Sequence, residues 1–403
     1  MNTLLYALFD ALRRHRWLRL LACAFIFTSL GNGLTQVLVF GLLLEWQAPA
    51  SLLTLAWLFA TLPGFVGSLL GEKLCARFSP VAILLITELL GFIALLFPLL
   101  GLHYHSITAL LAVQSSEALL GGMSWPALTL LFKRGLTGAE LPAATCLENI
   151  IFASQVLLGT GLGILMFQHV PAEVLLIADA TSFIGSMWLL LLAGRQLPSC
   201  VTPPTQEETK PVALRWQSLT RQQKRSLLLL PALAAVGAPA MALLPALAQQ
   251  IAPANAAGLA LPLLFARSMG QLCGPLLLNR DSLPRYAGHN RRLLLCLSLF
   301  CVCYAALPLI AGGLAVALGL IFVAHLASNI IFAAGTFGVL SSFRAAQVPS
   351  ASGKAWRWQT LSASLFTSLA ALLASPLGAA QALWLVSASA LLMVALVLVR
   401  YRE

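Results

Sequence analysis

The stretch LPGFVGSLLGEKLCARFSP, residues 62–80, sets Gly71, Glu72, Lys73 and Arg77 between two long apolar runs, in a chain of 403 residues where charged residues make up only 9%. Charge that is scarce elsewhere and concentrated at one turn decides how the rest is read. The chain is 60% hydrophobic. That leaves too little polar surface to cover a water-soluble core of this size, so the solvent of the fold is lipid.

Crossing the roughly 30 Å hydrocarbon core takes about 20 apolar residues in a helix. Twelve runs meet that length: residues 20–44, 52–70, 81–102, 107–132, 141–167, 174–192, 227–247, 256–278, 293–310, 314–340, 355–374 and 380–399, numbered here as spans 1 to 12. Barrel strands would be about 10 residues long and would alternate apolar with polar, which these runs do not. The expected fold class is therefore an all-α integral membrane protein of 12 transmembrane helices.

The distribution of the basic residues orients it. Arg13, Arg14, Arg16 and Arg19 precede span 1, Lys73 and Arg77 follow span 2, and Lys133 and Arg134 follow span 4. Six more lie between spans 6 and 7 and four between spans 8 and 9; Arg344, Lys354 and Arg357 mark the passage from span 10 into the start of span 11, and two follow span 12. The other six connections, near Gln47, His103, His169, Ala252, Gly312 and Leu377, contain neither Lys nor Arg. Positive charge marks the cytoplasmic side, so both termini are expected there. The net charge of +11 is thus a matter of topology, and no nucleic-acid partner is expected. The apolar run after Arg19 exceeds a signal-peptide core, which reads as a retained first span. Eight scattered cysteines without a C-x-x-C pair indicate neither a zinc site nor a disulfide framework.

Residues 194–225, GRQLPSCVTPPTQEETKPVALRWQSLTRQQKR, form the longest polar segment, with six spans on either side. They divide the chain into an N-terminal half, 1–193, a cytoplasmic linker, 194–225, and a C-terminal half, 226–403. Pro203, Pro204 and Pro211 with Glu207, Glu208 and Lys210 predict an extended start to the linker, and VALRWQSLTRQQ a short surface helix. Two six-helix halves joined by a long cytoplasmic loop are the pattern of transporters built from repeats.

The opening cluster falls on the cytoplasmic turn between spans 2 and 3. Gly67, Gly71, Glu72, Lys73 and Arg77 there resemble the turn of the major facilitator superfamily, with Glu72 where that family usually has Asp and Lys73 where it has Arg. SLGNGLTQVLVFGLLL in span 1, PALTLLFKRGLTGAELPAATCLEN from Pro126, LLGTGLG in span 5, DATSF at Asp179 and SGKA at Ser352 are similar to the bacterial drug- and siderophore-exporting branch that includes the enterobactin exporter. The exporter pattern G-P-x-x-G-G of span 5 appears as Gly159, Thr160, Gly163 and Ile164, without its proline and last glycine, and Asn32 replaces an acid often found in span 1. The resemblance implies the major facilitator fold, a bacterial inner-membrane location and a monomer that works by alternating access. It also implies that spans 1, 4, 7 and 10 line a central cavity, and that the charged turn acts as a cytoplasmic gate. Glu88, about two turns into span 3, is expected to join that gate.

An ionisable residue at the bilayer centre costs about 2.5–3.5 kcal/mol on insertion scales, so each is a candidate for function. Glu117, in span 4, shares a polar, small-residue face with Gln114, Gly121 and Ser124, and is the leading candidate to carry a proton or touch the substrate. Glu148 shares a face with Gln155 and Gly159 and comes next. Asp179, in the outer half of span 6, reads as a packing residue. Arg267, midway along span 8, is the one base outside the cytoplasmic pattern, and needs a carboxylate from the protein or from an anionic substrate. Asn32 with Gln36, and His325 with Asn329, are i, i+4 pairs in spans 1 and 10 that present hydrogen-bonding groups on one face. Pro231, Pro239 and Pro245 predict local breaks in the bonding of span 7.

These features predict a secondary active exporter of a small amphiphilic molecule, a siderophore or drug, driven by proton entry. A lysolipid translocator or a nutrient importer on the same fold is the alternative. With neither G-x-x-x-x-G-K-[ST] nor H-E-x-x-H in the chain, no nucleotide, metal or other cofactor is expected, and a membrane-embedded enzyme is the remote reading.

Overall fold

The computed structural model describes residues 3–46, 58–167, 169–197, 214–251, 256–310 and 313–401. Residues 52–57 of span 2 and the proline-rich start of the linker lie outside them. Helices account for nearly everything described. They are α1 Leu4–Arg14, α2 Arg16–Glu45, α3 Pro63–Leu74, α4 Pro80–Ala94, α5 Leu96–Tyr104, α6 Ile107–Gly135, α7 Leu141–Ser154, α8 Gly161–Phe167 and α9 Ala172–Arg195. The series continues with α10 Arg221–Ile251, α11 Ala256–Leu277, α12 Leu283–Gly288, α13 Asn290–Ala306, α14 Leu314–Ser342, α15 Val348–Leu377 and α16 Ala379–Arg400.

Nine stretches among the described residues are long and apolar enough to cross a bilayer. The others of the expected twelve are span 2, described only from residue 58, and α6 and α11. These two have 29 and 22 residues, enough length to cross, but their apolar surface is interrupted by Gln114 and Glu117 in one and by Arg267 and Gln271 in the other.

Punctuation within the spans follows the residues. Span 3 breaks at Leu95 into α4 and α5. Pro98 lies just beyond, and its ring clashes with the carbonyl four residues back. Span 5 changes its hydrogen-bond register rather than stopping: Gln155–Thr160 is π-helical. Through Pro231, Pro239 and Pro245 the chain stays helical within α10. The surface helix expected from VALRWQSLTRQQ reduces to one 3₁₀ turn, Trp216–Ser218. Thr220 is the cause, because its hydroxyl accepts from Gln223 N while Gln223 Oε1 accepts from Thr220 N, a reciprocal cap that starts α10 at Arg221 and takes up the rest of the stretch.

The chain forms two compact units. One contains Leu8–Leu214 with Arg344–Arg357, the other Met1–Ala7, Arg215–Phe343 and Trp358–Glu403. Leu38, Leu43, Leu110 and Leu175 centre the core of the first; Val236, Phe300, Ile321 and Leu383 centre that of the second. Leu165, Trp188, Leu295 and Leu372 are each more than half exposed, the outward apolar surface that a lipid solvent requires.

Candidate functional site

In the first unit, glycine spacing sets the geometry of the charged turn. A Cβ on Gly67 would stand 1.9 Å from the Leu119 carbonyl oxygen, and one on Gly71 2.3 Å from that of Met123. Only glycine lets α3 approach α6 so closely. That approach fixes where the last turn of α3 delivers Glu72, whose carboxylate accepts from Arg357 Nη2 at 2.9 Å. Around this ion pair, Trp356 packs on Trp125 with ring centroids 5.1 Å apart, and Lys354 Nζ donates to the Leu214 carbonyl. The beginning of α15 is thereby fastened to the turn after α3. Lys73 and Arg77 are exposed and join no ion pair among the described residues.

Glu88 is held elsewhere. It is 5% exposed and accepts from the Thr28 hydroxyl at 2.7 Å. Asp179 is fully buried and accepts from Thr35 at 2.5 Å and from Ser182 at 3.2 Å. Thr28, Gly31 and Thr35 share one face of α2, with spacing i, i+3, i+7. This face brings the acids of α4 and α9 into a network of hydroxyl donors that includes no base.

Glu117 makes no hydrogen bond to another described side chain. One turn on, a Cβ at Gly121 would meet nothing within 4 Å, so this strip of α6 borders open space. Glu148 is 3% exposed, and neither of its carboxylate oxygens has a hydrogen-bond partner. Asn32 Oδ1 is buried without a partner too, while Gln36 is half-buried. Gly33 and Gly159 meet backbone to backbone, the added Cβ at Gly33 standing 2.5 Å from Gly159 Cα. The glycine pattern of span 5 thus packs the π-helical stretch on α2.

In the second unit, Arg267 lies midway along α11, its Nε buried without a hydrogen-bond partner. Tyr304 of α13 and His325 of α14 are within electrostatic range of it. The Tyr304 hydroxyl and His325 Nε2 are 2.7 Å apart, and Asn329 Nδ2 donates to the Gln271 backbone carbonyl.

Solved structures of known proteins share this arrangement of helices. A bacterial homologue of the iron transporter ferroportin in an outward-facing state superposes with a TM-score of 0.70 at 14% identity, covering 95% of this chain and 98% of that one. The chain has the major facilitator fold. The human organic anion transporter MFSD10 (TETRAN) matches that fold here with a TM-score of 0.69 at 14% identity, over 95% of this chain and 99% of that one. The proton:xylose symporter XylE does so at 0.68 and 12%, over 95% and 94%. No family model matches the sequence. An uncharacterized 29.9 kDa protein in the crtE 3' region of Pseudescherichia vulneris is 62% identical over 74 residues, a match that spans 18% of this chain and 27% of that protein.

Sequence reasoning singled out Glu72 but not its partner. In the sequence Arg357 counts only as a topology charge, although a cation set between Trp356 and Trp358 at a span's entry is the available signal. Tyr304 carries no such local pattern. A buried tyrosine hydroxyl inside a span needs a partner, which was reason enough to ask what faces it.

Proposed function

We propose that the protein is a secondary active transporter that exports a small amphiphilic molecule, siderophore- or drug-like, across a bacterial inner membrane by alternating access, with proton entry as the driving force. It works as a monomer. The observation that carries this reading is the Glu72–Arg357 ion pair at 2.9 Å. It fastens the entry of span 11 to the turn after span 2, and we assign it the part of the cytoplasmic latch in this cycle. Glu117, on a strip of α6 that borders open space, is the proton-carrying or substrate-touching carboxyl, with Glu148 as second candidate. Asn32, Gln36, His325 and Asn329 supply polar contacts to the passing solute. Glu88, bonded to Thr28, is assigned to the acid network of α2, α4 and α9 rather than to the latch.

The test is efflux from cells lacking the protein and cells supplied with it, loaded with amphiphilic dyes and siderophores, with and without a protonophore. Protein-dependent efflux that collapses with the proton gradient supports the proposal. Protein-dependent uptake, translocation of lysolipid alone, or efflux indifferent to the protonophore refutes it.

A further inference from the structure

We propose that Arg267, Tyr304 and His325 form an anion-binding subsite, and that the transported solute carries a carboxylate on an apolar body. This rests on the transporter reading above and names the solute that its second unit recognises.

Acids are scarce around Arg267. Of the carboxyl groups in the sequence, only Asp281 and Glu403 belong to the unit that contains Arg267. Asp281 sits in the connection after α11, 3.7 Å from Arg280, and Glu403 ends the chain. Arg267 is 10 residues from the end of α11 at Leu277 and 11 from its start at Ala256. At 1.5 Å per residue, about 15 Å of helix separates it from either mouth of the span, beyond the reach of a snorkelling side chain. Among the described residues, its own unit therefore offers the guanidinium no counter-charge along the span.

Polar side chains lie beside it instead. Gly270 seats α11 on α14, since a Cβ there would stand 2.3 Å from the Phe322 carbonyl oxygen and 3.0 Å from His325 Cβ. Arg267 and Gln271, one turn apart on α11, thus lie alongside His325 and Asn329, one turn apart on α14. Three polar atoms of this group are buried without partners: Arg267 Nε, His325 Nδ1 and Gln271 Oε1. Tyr304 and His325 Nε2 share one hydrogen bond; in the tautomer where the hydroxyl donates, the imidazole proton sits on Nδ1 and is a second unused donor beside the guanidinium. Buried donors without acceptors are rare because each forfeits its hydration. A carboxylate satisfies both a guanidinium and a neighbouring N–H, and Arg is the side chain best shaped to hold one. Phe300, packed edge-on against His325 at 5.4 Å, supplies apolar surface next to the charge.

The experiment measures binding to the purified full-length protein by calorimetry, with octanoate and phenylacetate as probes and octanamide and phenylacetamide as neutral isosteres. The acids are expected to bind the wild type at least tenfold more tightly than the amides. Arg267→Ala should lose at least tenfold in acid affinity, and Tyr304→Phe less. Unliganded Arg267→Ala should melt no lower than the wild type, because removing the charge removes the need for a partner. Equal binding of acids and amides, no binding of any acid, or undiminished acid binding by Arg267→Ala overturns the proposal. So does a lowered melting temperature of Arg267→Ala that Glu117→Gln or Glu148→Gln restores, which would place the counter-charge within the protein. Arg267→Met, closer in volume, replaces the alanine variant if that one fails to fold. Because binding is read in detergent without a gradient, a protein that binds acids but does not export them refutes the export reading alone.

Discussion

Breaking the Glu72–Arg357 pair should release the start of α15 by a measurable amount. The two side chains are 20% and 10% exposed and 2.9 Å apart, so the bond is charge-assisted and largely shielded from water. Such bonds contribute about 1.5–3 kcal/mol, which corresponds to about 10- to 100-fold in an opening equilibrium. Glu72→Gln and Arg357→Gln should each raise backbone hydrogen exchange across Val348–Arg357 by that factor, read by mass spectrometry on the full-length protein. The double variant should exchange little faster than either single one, since the second change removes a partner already lost. Both should slow transport with expression unchanged, because a cycle that cannot hold one gate dwells in the other state. Exchange within about twofold of wild type in the single variants, or effects that multiply in the double variant, would refute the latch.

Three further outcomes follow from particular contacts. Glu117→Gln should abolish gradient-driven transport but keep counterflow exchange of the solute; full gradient-driven transport by that variant removes Glu117 from coupling. Gly67→Ala forces a Cβ to within 1.9 Å of a backbone oxygen, whereas Gly121→Ala meets nothing within 4 Å. The first should cost about 1–3 kcal/mol or more through overpacking and the second should fold normally, as thermal melts of the two would show. Glu140, in the connection after α6, is pushed up by burial. Hydrogen bonds from the Thr137 N–H, His15 and the Thr137 hydroxyl outweigh that and hold its carboxyl below the ordinary 4.5. A depressed carboxyl stabilises the fold above its unfolded value and stops doing so as pH falls through its folded one. The melting-temperature gap between wild type and Glu140→Gln should therefore be present at pH 7 and shrink as pH falls below about 4.5; a gap that does not shrink as pH is lowered from there refutes the linkage.

Hydropathy made the spans legible, because lipid imposes long apolar helices on the sequence without reference to tertiary contacts. Helix α1 escaped because its 11 residues are too few for a span, and its apolar face repeats only across two or three turns. Arg357 escaped for another reason: it lies 285 residues from Glu72, and no local pattern connects charges that far apart. The grouping of Glu88 with Thr28 and of Asp179 with Thr35 depends on which faces of α2, α4 and α9 meet, and periodicity gives the faces but not the neighbours. Tyr304 and His325 come together for the same reason, through the packing of α13 on α14.

The π-helical stretch Gln155–Thr160 gives span 5 an unusual tolerance in length. An α-helix turns about 100° per residue, so deleting one residue ordinarily swings everything beyond it to a new face. A π turn holds one residue more than the bonding of an α turn needs. Loss of a single residue between Gln155 and Thr160 would let the bonding relax to α while Glu148 before it and Gly163 after it keep their faces. The span therefore carries an insertion already absorbed, and a homologue one residue shorter there would superpose on both flanks, with its gap confined to this one turn.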